Sequence, residues 1–600
     1  METISLNGKW KCKPDFNNIG ISEKWYSPNN YSINDNELLD IDIPKSFNLL
    51  RGFENFEGIF WHFYQFDLNE KLDLDSYVYK LRIKGSNYHT KVWLNGSFLG
   101  ENDGGFLPFS FRLKDTIHQQ ENLLIIRTEN LRRKERLPSL HFDWLNWGGI
   151  YRDIDLLILS KSRIENVKIK TTIISQNKAN IEIYVKAIGR VSLIWQVLDT
   201  DFTTLLHQGE GSVFNSEDMF SLYIKHPKLW SPNKPNLYYL KIYSNSPNIN
   251  KTTLFETYFG IRQIEVKGIN IYLNKEKIKL KGVSLHEEYM PYGRTIPYEK
   301  RKEDILNIKA LGFNAIRTAH YPHDESIVEL ADKLGIFILE EIPVYQYCDF
   351  KNEDTFRLAI KMIYKLIKRD FNHPSVIWWS VGNEIPVHRR ECAKFIIRLM
   401  EFARKLDDTR IVTYVTMKLS HDFLRRSADV ATINTYFGWY FGNVKLISLV
   451  LDTMRTPIFN KPWVYTEFGA GAKYGFHADW KKQIRFSEEK QLYVLDYTIR
   501  TLNSKNYIAG WFIWIYRDFR SPIRTSTYQQ GYNRKGLVSG ERNEKKLIYH
   551  RFPNLIDDKR KIFNTQVLGM MIWIIFFPFV YFTFRHINSF IHKLYTAKKL

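Results

Sequence analysis

Two glutamates in matching sequence contexts are the residues best suited to chemistry in this chain. Glu384 follows the apolar run 376–383, and Glu467 follows the run 462–466. Each run is typical of a short strand with a carboxylate at its C-terminal end, where parallel barrel enzymes place catalytic groups. Two carboxylates facing each other across a pocket are what cleavage of a glycosidic bond needs. We therefore predict that Glu384 is the general acid/base and that Glu467 is the nucleophile, which forms a glycosyl-enzyme ester.

Polar and aromatic side chains at the other predicted strand ends are candidates for binding the substrate. A cationic Arg317 near Glu467 would favour the carboxylate that a nucleophile needs, and Asn383 could hydrogen-bond a sugar hydroxyl. Each of these residues alone fits a structural role equally well. Their joint position on one rim is the argument. The candidates are His286, Arg317, His320, Asn383, Tyr436, Tyr440 and Trp514.

The region 265–556 is predicted to position these residues as a (β/α)8 barrel. Apolar strands alternate there with amphipathic helical segments, which indicates βα units and a parallel sheet. Eight units over this length match a closed barrel, in which Glu384 ends strand four and Glu467 ends strand seven. The candidate strands are 278–286, 314–319, 335–342, 376–383, 411–416, 430–436, 462–466 and 508–516.

Two β-rich domains are predicted before the barrel. Residues 1–162 contain short alternating strands separated by turns such as Asn95-Gly96, which is typical of a β-sandwich. Residues 163–264 have the same texture over a shorter length, and we predict an immunoglobulin-like sandwich there. A chain of 600 residues is too long for a single core, which agrees with several domains.

The composition narrows the classes of partner. The net charge of +21 is spread over every region without a nucleic-acid-binding motif, so an anionic substrate or an acidic lipid surface fits better than nucleic acid. The three cysteines are far apart, and no ligand cluster with metal-type spacing is visible. We therefore expect a reaction that needs neither a metal nor a cofactor.

The C-terminal region has a different texture. Residues 567–584 carry no charge, and the stretch 563–584 is long enough to span a bilayer as a helix. Basic residues flank it, and 585–600 form a basic tail. The alternative is a buried terminal helix. Because the N-terminus lacks a signal-peptide pattern, we predict a single-pass C-terminal membrane anchor with the catalytic part in the cytoplasm.

Several motifs in order and spacing make the chain resemble glycoside hydrolase family 2, the family of β-galactosidases, β-mannosidases and β-glucuronidases. The resemblance covers about residues 1 to 550. It implies a sugar-binding jelly roll, an immunoglobulin-like sandwich and a barrel, and a retaining mechanism with Glu384 as acid/base and Glu467 as nucleophile. It also suggests a homo-oligomer. The motifs lie at 259–262, 282–287, 314–322, 382–384 and 466–467.

Within that family, three features resemble β-glucuronidases. The segment 434–440 is similar to their Asn-x-Tyr-x-Gly-Trp-Tyr sequence. Asn533 and Lys535 are similar to their Asn-x-Lys motif, which holds the sugar carboxylate, and Asp143 matches a jelly-roll aspartate that reaches the sugar. A lysine ammonium pairs with a carboxylate and an asparagine amide donates a second hydrogen bond. A neutral hexose would leave Lys535 without a partner, which gives discrimination. Taken alone, 533–536 would be a basic surface turn.

Two departures leave the substrate open. Glu288 stands where family members often have aspartate, and Gln529 stands where some glucuronidases have arginine before the Asn-x-Lys motif. The leading hypothesis is a retaining exo-glycosidase that hydrolyses terminal β-D-glucuronides of small molecules or oligosaccharides. The alternatives are a β-galacturonidase or β-galactosidase of the same family. A hypothesis from another class is a membrane-anchored glycan-binding protein without activity.

Overall fold

The computed structural model describes residues 2–31, 36–245, 253–419, 422–455, 458 and 460–559. The predicted membrane-spanning segment 563–584 and the basic tail 585–600 lie outside these residues. In the described part of the chain, no helix has both the length and the apolar character that crossing a bilayer requires. The membrane anchor therefore stays a prediction.

The first part of the chain is a β-sandwich whose two antiparallel sheets share one apolar core. Leu81 and Ile83 from one sheet pack with Phe60 and Leu124 from the other. Successive side chains of a strand point to opposite faces, so each strand gives one face to this core. The strands, in sheet order, are Glu2–Ser5, Ile154–Ser160, Tyr77–Ile83 and Phe109–Arg112; then Leu39–Ile43, Gly8–Pro14, Ile59–Phe66, Asn122–Glu129, His89–Leu94 and Ser97–Asp103; and three short ones, Lys45–Ser46, Gly149–Ile150 and Ser86–Asn87.

A second, smaller β-sandwich follows. Its strand Lys178–Ile188 shows the sequence logic of a half-buried strand, because Ile181, Ile183 and Val185 are buried while the residues between them are more exposed. One core holds both sheets together. The strands, in sheet order, are Arg163–Ser175, Lys178–Ile188 and Glu217–Lys225; then Leu205–Phe214, Arg190–Leu198, Tyr238–Ser244 and Thr253–Phe259; and a short pair, Trp230–Ser231 and Lys234–Pro235.

Eight parallel strands then form the predicted barrel. The sheet order is 5-4-3-2-1-8-7-6. Side-chain and main-chain hydrogen bonds join the two end strands: the Asn434 amide donates to the Thr416 carbonyl (2.8 Å) and the Thr432 hydroxyl to the Tyr414 carbonyl (2.7 Å). All eight predicted strands are confirmed. They are β1 Leu280–Leu285, β2 Ala315–Thr318, β3 Phe337–Glu341, β4 Val376–Asn383, β5 Ile411–Val415, β6 Ala431–Asn434, β7 Trp463–Phe468 and β8 Ile508–Ile513.

Helices cover the outside of the barrel with one apolar face each. The helix after β2 begins where the Asp324 side chain accepts from the Ser326 amide, and it ends at Gly335, whose φ of 70° suits glycine. The helices are α1 Tyr298–Ala310, α2 Glu325–Leu334, α3 Glu353–Asp370, α4 Arg390–Leu406, α5 Ile447–Arg455, α6 Glu488–Ser504 and α7 Leu547–Arg551. The short 3-10 helices are Pro28–Asn30, Phe47–Leu49, Lys114–Thr116, Phe423–Arg426, Val444–Leu446 and Phe552–Asn554. The remaining strands are Ile264–Lys267, Asn270–Leu273, Glu276–Ile278, Phe519–Arg520 and Tyr532–Asn533.

The first sandwich packs on the rim of the barrel where the strands end. Phe106 stacks on Tyr321, with ring centroids 4.6 Å apart, and the buried Arg152 donates to Glu287 at 2.7 Å. Trp144 lies edge-on to a barrel aromatic, Tyr345. The sandwich therefore contributes side chains to the same face of the barrel that carries the predicted site.

Candidate active site

Glu467 lies on β7 between a cation and a phenol. Arg317 at the end of β2 donates from Nη1 to Glu467 Oε1 at 2.7 Å, and the Tyr436 hydroxyl donates to Oε2 at 2.7 Å. The glutamate is 4% exposed. Burial and the two glutamate charges hold the pKa of Tyr436 well above its usual range, so the phenol stays a donor.

Glu384 directly follows β4 and has neutral partners. Its carboxylate accepts from Asn434 Nδ2 and from Gln346 Nε2, both at 3.1 Å. Its φ of 53° is in the left-handed region, which residues other than glycine adopt mainly at turns and functional sites. Burial, with the charge of Glu467 added, raises the pKa of Glu384 to about 7. A carboxyl with this pKa can donate and accept a proton near neutral pH.

One residue of β6, Asn434, lies next to both glutamates. Asn434 is paired in register with Glu467 on the neighbouring strand, and its amide donates to Glu384 and to Asn383 Oδ1, the latter at 3.1 Å. Asn383 Oδ1 also accepts from Arg317 at 2.9 Å. Hydrogen bonds through Arg317, Asn383 and Asn434 thus connect the two carboxylates.

Arg317 is held by a further buried carboxylate, Glu341 of β3. The guanidinium donates to both oxygens of Glu341, at 3.1 and 3.0 Å. His320 Nδ1 lies 2.9 Å from the same carboxylate. Burial opposes ionisation of Glu341, but Arg317 and His320 outweigh it and lower its pKa to about 2. Burial likewise opposes the charge on Arg317, and the two glutamates outweigh it and raise its pKa.

Aromatic side chains pack beside the Arg317–Glu341 ion pair. Trp514, directly after β8, stacks on His320 with centroids 4.8 Å apart, and His286, after β1, lies edge-on to Trp514 at 5.3 Å. Burial and the nearby cationic side chains hold the pKa of His286 well below its usual range, so the ring is neutral. Its Nδ1 is 3.0 Å from the Tyr321 hydroxyl.

A second cluster contains the predicted carboxylate-binding residues. Lys535, 3% exposed, donates to the Tyr440 hydroxyl at 2.6 Å. Its ammonium also lies 5.2 Å from the ring centroid of Tyr436, the residue that contacts Glu467. Burial, together with a neighbouring arginine, lowers the pKa of Lys535. The lysine is therefore close to the nucleophile's own partner.

Asp143 links the first sandwich to this cluster. Its carboxylate accepts from Arg524 Nε at 2.9 and 3.0 Å and also from Arg524 Nη2. It accepts in addition from Ser521 and, at 3.2 Å, from the Asn533 amide. Arg524 reaches further and donates from Nη1 to the Tyr440 hydroxyl at 3.2 Å.

The structure thus gathers the predicted residues into two adjoining groups. Arg317, His320, Asn383, Glu384, Tyr436 and Glu467 form the first, bordered by His286 and Trp514; Asp143, Tyr440, Asn533 and Lys535 form the second. Four residues that our site prediction did not include also take part: Glu341, Gln346, Asn434 and Arg524. Glu341 and Asn434 lie at strand ends, where the strand-end rule places candidate residues. Gln346 and Arg524 lie in loops without a comparable signal.

A possible metal-ligand group lies outside this site. Glu325, Asp370 and His373 place ligand atoms within 4.8 Å of one another. They belong to α2, to α3 and to the segment after α3. Asp370 accepts from Arg369 at 2.6 Å, and His373 Nδ1 is 2.5 Å from Asp332. The group is therefore part of an ion-pair network, and none of its three members touches the two glutamates.

Comparison with protein families gives three consecutive matches. The pattern described as "Glycosyl hydrolases family 2, sugar binding domain" matches residues 3–160, "Glycosyl hydrolases family 2" matches 162–262, and "Glycosyl hydrolases family 2, TIM barrel domain" matches 264–551. Together these matches cover almost the whole described chain.

Individual proteins are similar over nearly their full length. The chain is 27% identical to a protein named beta-glucuronidase from Felis catus, over 93% of this chain and 92% of the relative. It is 26% identical to one from Paenibacillus borealis, over 91% and 95%. A solved structure of an uncultured Clostridium sp. beta-glucuronidase has 26% identity and a TM-score of 0.83, covering 92% of this chain and 97% of that one.

Proposed function

Because the chain belongs to glycosyl hydrolase family 2 and is a glycoside hydrolase, we propose that it is a retaining exo-β-glucuronidase. The relatives above, named beta-glucuronidases and aligned over more than nine-tenths of this chain, support the choice of sugar. At about a quarter identity, the choice rests equally on the residues of the site.

The observation that carries the proposal is the environment of Lys535. The ammonium is buried, and its contacts are the Tyr440 hydroxyl and the rings of Tyr436 and Tyr440. Within the described ranges of the chain, Lys535 forms no ion pair with a carboxylate. A buried charge without a counter-ion is costly. An anionic group on the ligand would remove that cost, and a uronic acid brings a carboxylate that a neutral hexose lacks.

Further polar atoms at the site have no partner. His286 Nε2, Asn383 Nδ2 and Asn533 Oδ1 are buried and make no hydrogen bond to the part of the protein that the structure describes. Buried polar atoms are normally paired, and those left open in a pocket are candidates for pairing with a ligand. A sugar offers hydroxyls that both donate and accept, so it brings partners for the donor on Asn383 and for the acceptor on Asn533 alike.

The proposed reaction proceeds in two displacements. Glu467 attacks the anomeric carbon while Glu384 donates its proton to the glycosidic oxygen; the C–O bond to the aglycone breaks, and the alcohol leaves. Glu384, now a carboxylate, then removes a proton from water, which attacks the same carbon and displaces Glu467. The product is β-glucuronic acid, and both glutamates return to their starting states.

Arg317 and Tyr436 hold Glu467 in place for its proposed role as the nucleophile. Each donates to a different carboxylate oxygen, which fixes the plane of the carboxylate before substrate arrives. Such preorganisation avoids reorganisation during the reaction. Among the residues that the structure describes, no cation is in hydrogen-bond contact with Glu384, and its pKa of about 7 leaves it protonated for a useful fraction of the time at neutral pH.

The deciding experiment compares p-nitrophenyl β-D-glucuronide, β-D-galacturonide and β-D-galactoside as substrates. We expect rapid hydrolysis of the glucuronide alone, with loss of turnover in Glu467→Ala. Preference for the galacturonide would support the carboxylate-binding site but change the identity of the sugar. Preference for the galactoside would refute the proposal that Lys535 binds a substrate carboxylate. Binding of the glucuronide without turnover would favour a glycan-binding protein.

We also propose, from sequence alone, that residues 563–584 anchor the enzyme to a membrane with its catalytic part in the cytoplasm. The support is the uncharged run 567–584 between basic flanks. Alkaline extraction of membranes from cells that express the full chain should leave the protein in the pellet. Release by alkali, or protection of the catalytic part from protease added to the cytoplasmic side, would contradict the proposal.

A further inference from the structure

We propose that Arg524, in the loop after β8, is a second cationic ligand for the carboxylate of the substrate. The inference rests on the glucuronidase function proposed above and names a specificity-determining residue that neither the predicted site nor the Asn-x-Lys motif contains. It also assigns Asp143 a positioning role, because Asp143 holds the guanidinium in place.

Two cationic side chains converge on one oxygen, the Tyr440 hydroxyl. Lys535 Nζ donates to the Tyr440 hydroxyl at 2.6 Å, and Arg524 Nη1 donates to the same oxygen at 3.2 Å. A neutral phenol is a weak partner for two full positive charges. Burial would raise the pKa of Tyr440, but Lys535 and Arg524 outweigh it and lower that pKa. A carboxylate oxygen close to this position would satisfy both donors with a full negative charge.

Asp143 leaves part of the guanidinium available. It accepts from Arg524 Nε and Nη2, which is the two-point pairing typical of an arginine and a carboxylate. Nη1 is turned away from Asp143 and carries two hydrogens, of which the Tyr440 hydroxyl needs one. The aspartate neutralises much of the arginine's charge and fixes its direction, while Nη1 keeps a second hydrogen for a ligand.

The loop itself is fixed in place. The Ser521 amide donates to the Gly531 carbonyl at 2.7 Å, and the Gly531 amide donates to the Arg524 carbonyl at 2.8 Å. The Arg524 side chain is 19% exposed. Because backbone hydrogen bonds close the loop around Arg524, the position of its guanidinium in the site is restricted.

The position of Arg524 offers an explanation for the glutamine at position 529. Gln529 occupies the position at which some β-glucuronidases carry an arginine, and the Gln529 side chain contacts Ser526. Arg524, five positions earlier in the same loop, brings a guanidinium to the oxygen that Lys535 also contacts. The positive charge that the motif lacks at 529 is therefore present from another position.

The experiment compares Arg524→Gln with the intact protein on p-nitrophenyl β-D-glucuronide and on the neutral β-D-glucoside, each by kcat/KM. Arg524→Gln should lose about 10- to 100-fold on the glucuronide, the effect of one hydrogen bond to a charged group, and change little on the glucoside. Arg524→Lys should retain part of the preference because it keeps the charge. Arg520→Gln is the matched control, since Arg520 donates to the exposed Asn55 across the same domain contact and should leave both rates unchanged.

The outcomes separate this inference from the function on which it rests. If the intact protein prefers the glucuronide but Arg524→Gln loses equally on both substrates, Arg524 is structural and the inference is wrong. If the intact protein shows no preference, the proposed function fails first and the inference falls with it. Should Arg524→Gln not fold, Arg524→Lys decides: an unchanged ratio of the two kcat/KM values together with reduced thermal stability would overturn the ligand role.

Discussion

Replacing Gln346 with leucine should move the alkaline limb of kcat/KM for β-glucuronides to higher pH. Gln346 Nε2 donates to Glu384 Oε2 at 3.1 Å. A hydrogen bond donated to a carboxylate stabilises its ionised form and so lowers its pKa. Burial and Glu467 already raise the pKa of Glu384 to about 7, and removal of the amide donor takes away part of what opposes them.

The size of the shift follows from the energy of that contact. A hydrogen bond to a charged group contributes about 1.5–3 kcal/mol, and one pKa unit corresponds to about 1.4 kcal/mol. Asn434 still donates to the other oxygen of Glu384, and water can replace part of the lost contact. We therefore expect a displacement of about one pH unit.

The sign follows from the role of Glu384 as acid. The proton must be present before the glycosidic bond breaks, so kcat/KM falls about tenfold per pH unit above the pKa of Glu384. A higher pKa keeps the acid protonated to higher pH. The assay is kcat/KM from about pH 5 to about pH 9 on an alkyl β-glucuronide, whose leaving group requires protonation.

Gln529→Leu is the control, because Gln529 contacts Ser526 and not Glu384. Its pH profile should match that of the intact protein. If the alkaline limb of Gln346→Leu stays in place or moves to lower pH, the proton that controls the reaction is not on Glu384, and its assignment as general acid is wrong.

Three further predictions concern binding and stability. Lys535→Met should lower kcat/KM on a glucuronide by at least about 100-fold, because a buried charge pair loses one partner, and should leave a neutral glucoside within a few-fold; equal losses would contradict the uronate site. Gly536→Ala should lower the free energy of unfolding by about 1–3 kcal/mol and so lower the melting temperature, because the added Cβ would lie 2.2 Å from the Asp518 amide nitrogen. An unchanged melting temperature would contradict this packing. Arg152→Met should destabilise the contact between sandwich and barrel by about 2 kcal/mol, the contribution of one hydrogen bond to a charged group, since the buried Glu287 loses its 2.7 Å partner and keeps the longer 3.7 Å contact with Arg301; unfolding by urea measures this, and no change would argue against the ion pair.

The rim of the barrel could be predicted from the sequence because strand ends have a visible pattern. A buried parallel strand is a short apolar run, and the first polar residue after it marks the rim. The rule points to Glu384, Glu467 and Arg317. Glu341 and Asn434 obey the same rule and complete the network, but the rule alone does not say which of several polar residues at a strand end contacts the glutamates.

The loops could not be predicted in the same way. Gln346 contacts Glu384 from a backbone conformation with a φ of 47°. Arg524 contacts Asp143 from a loop closed by backbone hydrogen bonds, and no periodic pattern in the sequence predicts those bonds. Asp143 itself comes from another domain, and its partners are almost four hundred positions away in the chain. Such contacts depend on how domains and loops pack, and the local sequence carries little of that information.

The two glutamates have different proposed roles because their hydrogen-bond partners differ, and those partners come from strand ends for Glu467 and partly from a loop for Glu384. Glu467 is surrounded by groups from strands or their immediate ends, among them Arg317, whose charge suits a carboxylate that must attack as an anion. Glu384 receives two amide donors, one from β6 and one from a loop, and its buried position favours the neutral acid. Two side chains of the same type thus acquire different proton affinities from their neighbours. An exchange of these environments, with a cation beside Glu384 and none beside Glu467, would leave both carboxylates in place and remove the acid that the first displacement requires.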